Sequence, residues 1–231
     1  MISSNKLFEI LENEEVEYIY HANSVITSCQ FLRTGKLLSR GTASKNGYDQ
    51  SSQISDSIDK KRSVWFDIFT DSVDIHHRGS RVNVYGPVLF KLDVSMLKDI
   101  YTGSVSVTKL NPTKWKGKKN DQRWFQSADE LKEGFIYGEF DQMIVFRHCG
   151  GELPIAKHLE EIVLDDPLYE ITKGKIDYYS MAYGALKYAM SVSGIDVPII
   201  KRKCRGSCSC DKFYTDNPEE IDKMFQPFLD D

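Results

Sequence analysis

One stretch constrains this chain more than any other: VEYIYHANSVITSCQFLRTGKLLSRG, residues 16–41. Val16, Tyr18 and Tyr20 alternate with Glu15, Glu17 and Ile19, close to the period of a strand. His21 ends that run. Ser24 is a good N-cap, and Val25, Cys29 and Leu32 follow at i, i+4 and i+7, one stripe of a helix. Gly35 suits the position after a helix, where φ turns positive without a Cβ clash. Residues 36–41 then read as a short return segment. On these residues alone His21 is either a site residue or a hydrogen-bonded histidine at a strand end.

The remainder alternates short strands and helices. Residues 5–14 predict a helix with Leu7, Ile10 and Leu11 on its apolar side. Residues 41–62 are polar and predict a long surface loop, either a binding loop or simple variation. Residues 64–69 and 88–92 suit buried strands, with a turn at Tyr85-Gly86-Pro87 before the second. A short helix over 95–100 and a strand over 104–108 follow. Residues 135–147 read as a second key strand carrying Glu139, Asp141 and Gln142. Residues 175–191 form a strong helix stopped by Gly194, and the chain closes on an acidic helix.

Three stretches carry chemistry-bearing residues. The first is the basic segment 109–125, with Lys109, Lys114, Lys116, Lys118, Lys119 and Arg123 against the single acid Asp121. Trp115 and Trp124 are interleaved. Lysines neutralise phosphates, and an indole face stacks a base for about 1–3 kcal/mol. The other reading is a solvated loop whose tryptophans tuck into the core. The second is His76-His77. Adjacent strand residues point to opposite faces, so the pair does not readily share an ion. The third is the basic run with Cys204, Cys208 and Cys210. Its C-x₃-C-x-C spacing is not a standard zinc pattern, so zinc there would need a fourth ligand from His148 or Cys149.

Three blocks, in order, resemble the ADP-ribosyltransferases, and among them the DarT-type toxins that modify nucleic acid. The first block is His21, Asn23, Ser24, Leu32, Gly35, Leu37, Leu38, Ser39 and Arg40. The second is Asp67, Asp71, Asp74, His76, Arg78, Asn83, Tyr85, Gly86, Pro87, Val88 and Phe90. The third is the strand leading to Met143-Ile144-Val145, followed by an ending that looks like the family's "L-P…L…I". The resemblance implies an α+β fold of two small packed β-sheets with flanking helices and NAD⁺ in the cleft between them. It implies His21, Asn23, Ser24, Leu38, Arg40 and Tyr85 as NAD⁺-binding residues. Lys114, Trp115, Lys116, Lys118, Lys119, Arg123 and Trp124 stand where the family places its substrate loop. The family's catalytic Glu falls on Gln142, which cannot act as a base. Glu139 and Asp141, two apart and so on one face of a regular strand, are the acids expected to serve instead.

Composition narrows the setting. The chain has 231 residues and a net charge of −4, so bulk charge does not announce a nucleic-acid binder. Five cysteines, an odd number, do not read as a secreted disulfide framework. No run approaches the ~18 apolar residues of a membrane span, and the first residues lack a secretory apolar core. A cytoplasmic protein is expected. Residues 1–166 are expected to form the ADP-ribosyltransferase-like domain, and 167–231 a helical, Cys-rich extension packed on it. The expected activity is NAD⁺-dependent ADP-ribosylation of a DNA or RNA base, by a bacterial toxin or phage-defence effector with an antitoxin or immunity protein as partner. The alternatives are a non-catalytic nucleic-acid-binding module and a metal-dependent nuclease built on His76 and His77.

Overall fold

The computed structural model describes residues 1–78, 83–99, 103–168, 170–171, 176–203 and 209–228. The chain opens with β1 (Ile2–Ser3), α1 (Ser4–Asn13), β2 (Tyr18–Asn23), α2 (Val25–Thr34), β3 (Lys36–Leu38), α3 (Arg40–Lys45) and α4 (Asp56–Lys61). Next come β4 (Ile68–Thr70), a 3₁₀ turn at Ile75–Arg78, β5 (Val88–Asp93), α5 (Met96–Asp99) and β6 (Ser104–Val107). A second 3₁₀ turn (Pro112–Lys114) leads through α6 (Asn120–Arg123) and α7 (Ala128–Gly134) to β7 (Ile144–Phe146), β8 (Glu152–Pro154) and β9 (Leu159–Asp166). The last part holds β10 (Glu170–Ile171), β11 (Ile176–Asp177), α8 (Tyr178–Ser193), β12 (Ile199–Lys203), α9 (Cys210–Asp216) and α10 (Pro218–Phe225).

This is the expected α+β class. Among the described residues there are two four-stranded sheets, ordered β1-β6-β7-β4 and β12-β9-β5-β2, and two two-stranded ribbons, β3-β8 and β10-β11. β5 is the spine of the second sheet. Its Val88, Leu89, Phe90 and Leu92 are all buried, which is why this segment reads as an apolar run interrupted only by Lys91. The two sheets meet along their edge strands. Tyr20 of β2 and Asp71, just past β4, exchange both backbone hydrogen bonds at 2.8 Å. The segment after residue 166 is built into the body: β12 runs parallel to β9, α8 packs against α2, and Leu186, Tyr214 and Phe225 join the main core.

Helix α2 forms where the sequence places it, with Gly35 at its C-terminal end in the left-handed region at φ 67°. A Cβ at Gly35 would meet nothing within 4 Å, so substitution costs backbone strain alone. Gly35→Ala should therefore lower unfolding stability by about 1 kcal/mol, measured by urea denaturation with an unchanged m-value.

Four local expectations are corrected. His21 does not end the first strand; β2 runs on through Asn23. Residues 41–62 are not one irregular loop, because α3 and α4 occupy much of them. The strand expected over 64–69 starts only at Ile68, with Phe66 exposed. The strand expected over 135–147 shrinks to Ile144–Phe146, and residues 135–143 form a turn-rich approach to it.

Candidate active site

A cleft opens where the two sheets meet. Its walls come from β2 (His21, Ala22, Asn23), from the turn into α3 (Leu38, Ser39, Arg40) and from the α4 segment (Gln53, Ser55, Asp59). Val64, Asp67, Ile68, Phe69, Asp71, Tyr85, Asn111, Pro112, Thr113 and Met143 complete the lining. Five of the six residues expected to bind NAD⁺ thus line one cleft: His21, Asn23, Leu38, Arg40 and Tyr85. The sixth, Ser24, is fully buried beneath it. Its hydroxyl donates to Thr27 Oγ1 at 3.1 Å and accepts from Ser51 Oγ at 2.6 Å, so it pins the α4 segment to α2 rather than facing the cleft.

Hydrogen bonding fixes the state of His21. Its Nδ1 lies 2.7 Å from the Phe69 carbonyl, which can only accept, so Nδ1 carries the proton. Nε2 is then an acceptor, facing the Asn23 amide nitrogen at 3.5 Å. Burial holds the imidazole below its ordinary range, against the contrary pull of the Phe69 carbonyl. His21 is therefore a neutral, oriented imidazole. Asn23 in turn accepts from the Ser24 amide at 3.0 Å and from Gln53 Nε2 at 3.3 Å. Gly86 is obligatory for this wall: a Cβ there would sit 2.1 Å from the Asn23 backbone carbon.

Arg40 is the cleft's cation. Its Nε and Nη2 hold the two Asp56 oxygens at 2.9 and 2.7 Å, a bidentate pair that ties α4 to the start of α3. Its Nη1 is buried with no hydrogen-bond partner among the described residues, a donor that an anionic oxygen would satisfy.

Three carboxylates line the cleft: Asp59, Asp67 and Asp71. Burial pushes Asp59 up to about 6, with smaller opposing effects from Ser55 and Arg40. It makes no ion pair among the described residues. Burial also raises Asp67, although its Oδ2 accepts from Arg147 Nε at 2.9 Å. Asp67 and Asp71 belong to the sequence block expected near the site. Asp59 was missed because it stands in a segment read as loop, and only the fold of α4 turns it inward.

The acids expected to do the chemistry lie elsewhere. Glu139 is exposed on a turn, where its carboxylate accepts from the Asp141 amide at 3.3 Å. Asp141 accepts from the Asn111 amide at 3.1 Å and pairs with Lys114 at 2.7 Å, so it orders the Asn111–Thr113 wall from behind. Gln142 is buried and closes its own loop, accepting from the Ile136 amide at 2.7 Å and donating to the Gly134 carbonyl at 2.9 Å. The same-face argument for Glu139 and Asp141 fails because no strand forms there. The residue of this approach that reaches the cleft is Met143.

The basic segment is also rearranged. Trp115 and Trp124 are buried, 1% and 6% exposed, and meet edge to face with ring centres 4.8 Å apart. The Trp115 indole N–H donates to the Leu110 carbonyl at 2.6 Å. Arg123 and Arg147 lie over the two rings, so neither presents a face to a base. The pair packs with Val64 and Val145 directly behind the cleft wall. Lys116, Lys118 and Lys119 are exposed.

Among the described residues no histidine-based metal site is assembled. His76 Nε2 meets Asp165 Oδ2 at 3.0 Å, and Arg202 binds both Asp165 and Asp74, so these groups form an internal charge network. The His77 side chain, Cys204 and Cys208 lie outside the described residues, while Cys210 is buried at the start of α9. Among the described residues no group of three His, Cys, Asp or Glu could hold a metal ion, and no helix is long and apolar enough to cross a membrane.

No protein-family profile and no curated protein matches the chain significantly. Among solved structures, the fold is similar to the DarT of Thermus sp. 2.9, determined in complex with ADP-ribosylated single-stranded DNA. The TM-score is 0.50 at 12% identity, covering 81% of this chain and 95% of that one. The likeness is one of fold.

Proposed function

We propose that this chain transfers ADP-ribose from NAD⁺ to a nucleic-acid base. The carrying observation is that His21, Asn23, Leu38, Arg40 and Tyr85, singled out by motif from two separate blocks, line a single cleft. The nucleic-acid acceptor is taken from the fold neighbour, whose bound product is modified DNA. A toxin or defence role, with a neutralising partner protein, belongs to the same proposal.

The cleft suits the donor. The neutral His21 and Asn23 offer an acceptor and a donor for the nicotinamide amide and its ribose. Arg40 Nη1 offers a donor for a diphosphate oxygen. The bond between ribose C1′ and the nicotinamide nitrogen breaks with its electron pair leaving on nicotinamide. Positive charge develops on the ribose and is stabilised by the carboxylates of the wall. The acceptor's lone pair then bonds to C1′, and its proton passes to one of those carboxylates. Asp59 has the most suitable proton affinity, because a base poised near the operating pH combines availability with driving force.

Incubating the protein with NAD⁺ and a DNA or RNA acceptor should release nicotinamide and add the mass of ADP-ribose to the nucleic acid. His21→Ala should raise the NAD⁺ dissociation constant by about tenfold, the loss of one well-placed hydrogen bond to a partly charged ligand, with far-UV circular dichroism unchanged. Nucleic-acid binding without nicotinamide release would replace this reading with that of a binding module.

A further inference from the structure

A second groove opens beside the first cleft, and nothing above uses it. It is lined by Thr42, Lys45 and Asn46 of α3 and its end, by Lys60, by Trp65 and Phe66, and by the glycine turn after His148. Asp67 lines both cavities. We propose that a single strand of nucleic acid lies in this groove, one base stacked on Phe66 and its phosphates against Lys45 and Lys60. The proposal rests on the transfer reading above and names where its acceptor is held.

Four observations carry it. Phe66 is 52% exposed, an uncommon setting for a phenyl ring beside a buried strand. The ring is seated rather than loose: a Cβ on Gly41 would come within 2.7 Å of it and within 2.8 Å of the Trp65 ring, so both lie against the first turn of α3. A rigid, half-covered ring is the platform on which a base stacks without sequence preference.

Charge is the second observation. Lys45 and Lys60 are exposed, and Lys60 Nζ stands 4.4 Å over the Trp65 ring. The groove's acids are already engaged, Asp67 by Arg147 and Glu152 by Lys36 at 2.5 Å, so the surface it offers a ligand is positive. Third, the groove adjoins the chemistry. Asp59, beside Lys60, lines the first cleft, and Arg40 of that cleft lies over Trp65 with its guanidinium carbon 5.9 Å from the ring centre. A strand held on Phe66 would deliver a neighbouring base to the cleft mouth. Fourth, the aromatic pair of the basic segment, Trp115 and Trp124, is buried and cannot serve.

The test is binding of short fluorescein-labelled single-stranded DNA and RNA of mixed sequence, read by anisotropy across a salt series. Phe66→Ala should weaken binding about tenfold, and Phe66→Trp should restore it, since stacking needs a ring and not a phenyl ring in particular. Lys45→Ala with Lys60→Ala should lower the slope of log K against log salt by about 1.4, two single-strand phosphate contacts. An unchanged affinity in Phe66→Ala, or a slope that falls only when Lys116, Lys118 and Lys119 are replaced, would overturn the proposal, as would the absence of any oligonucleotide binding. Nicotinamide release by the unaltered protein without oligonucleotide reports the first cleft separately, so failure of either reading is seen apart from the other.

Discussion

Asp59→Asn should lower nicotinamide release from NAD⁺ by at least about a hundredfold, the loss expected when one positioned carboxylate leaves a reaction that develops positive charge. The pH dependence makes the prediction sharper. Asp59 titrates near 6 in the folded chain against an ordinary value of 3.8. The active form is the carboxylate, so the rate should rise with pH through about 6 in the parent and stay low and flat in the variant. Stability should move the other way. A folded value raised above the unfolded one means that the group's favourable contribution is complete below about 3.8 and is lost as pH rises through about 6. Above that pH the fold carries a half-buried charge with no ion pair among the described residues, and the amide removes it. Asp59→Asn should therefore unfold at a higher temperature than the parent at pH 8 and at about the same temperature at pH 4. Glu139→Gln is the control, because Glu139 lies on an exposed turn outside the cleft. Loss in Glu139→Gln with none in Asp59→Asn would return catalysis to the 135–143 turn.

What the sequence made legible follows from how local each signal is. The α2 unit could be read in full because its stripe, its preceding serine and its stopping glycine all act within a dozen residues. Even there, Ser24 bonds to Ser51 instead of capping, a choice set by a segment far along the chain. That five of the residues proposed to bind NAD⁺ line one cleft was legible because β2, β3 and the Tyr85 turn each carry their residues at short spacing. The carboxylates were not. Residues 135–143 have the composition of a strand, yet Gln142 bonds Ile136 and Gly134, and that closes the segment into a loop before β7 begins. Asp59 sits in a polar stretch with no periodic apolar pattern. What folds it is the Arg40–Asp56 pair and the Ser51–Ser24 contact, both long-range and both invisible to spacing. Lys114 shows the same limit: its charge reads as a phosphate contact, but Asp141 takes it up.

Trp115→Ala should destabilise the fold by about 3–5 kcal/mol, the range for removing a large aromatic side chain from a packed interior. The indole is 1% exposed and sits edge to face against Trp124 at 4.8 Å. Its N–H bond to Leu110 would be lost as well, leaving that carbonyl to find another donor. Loss of the ring leaves a cavity in the small core shared with Trp124, Val64 and Val145, a cluster too small to refill it by relaxation. The damage should reach the cleft, because Val64 and Met143 pack on this cluster and also line the cavity at the sheet junction. Urea unfolding should thus show a lower midpoint, and the surviving folded protein a weaker hold on NAD⁺. A stacking role predicts the opposite pattern: unchanged unfolding, unchanged NAD⁺ binding and a selective loss of affinity for single-stranded nucleic acid. Replacing Lys116, Lys118 and Lys119 with Ala should leave stability within about 0.5 kcal/mol of the parent, since all three are exposed. The two variants together separate what the loop's rings do for the fold from what its charges do for a ligand.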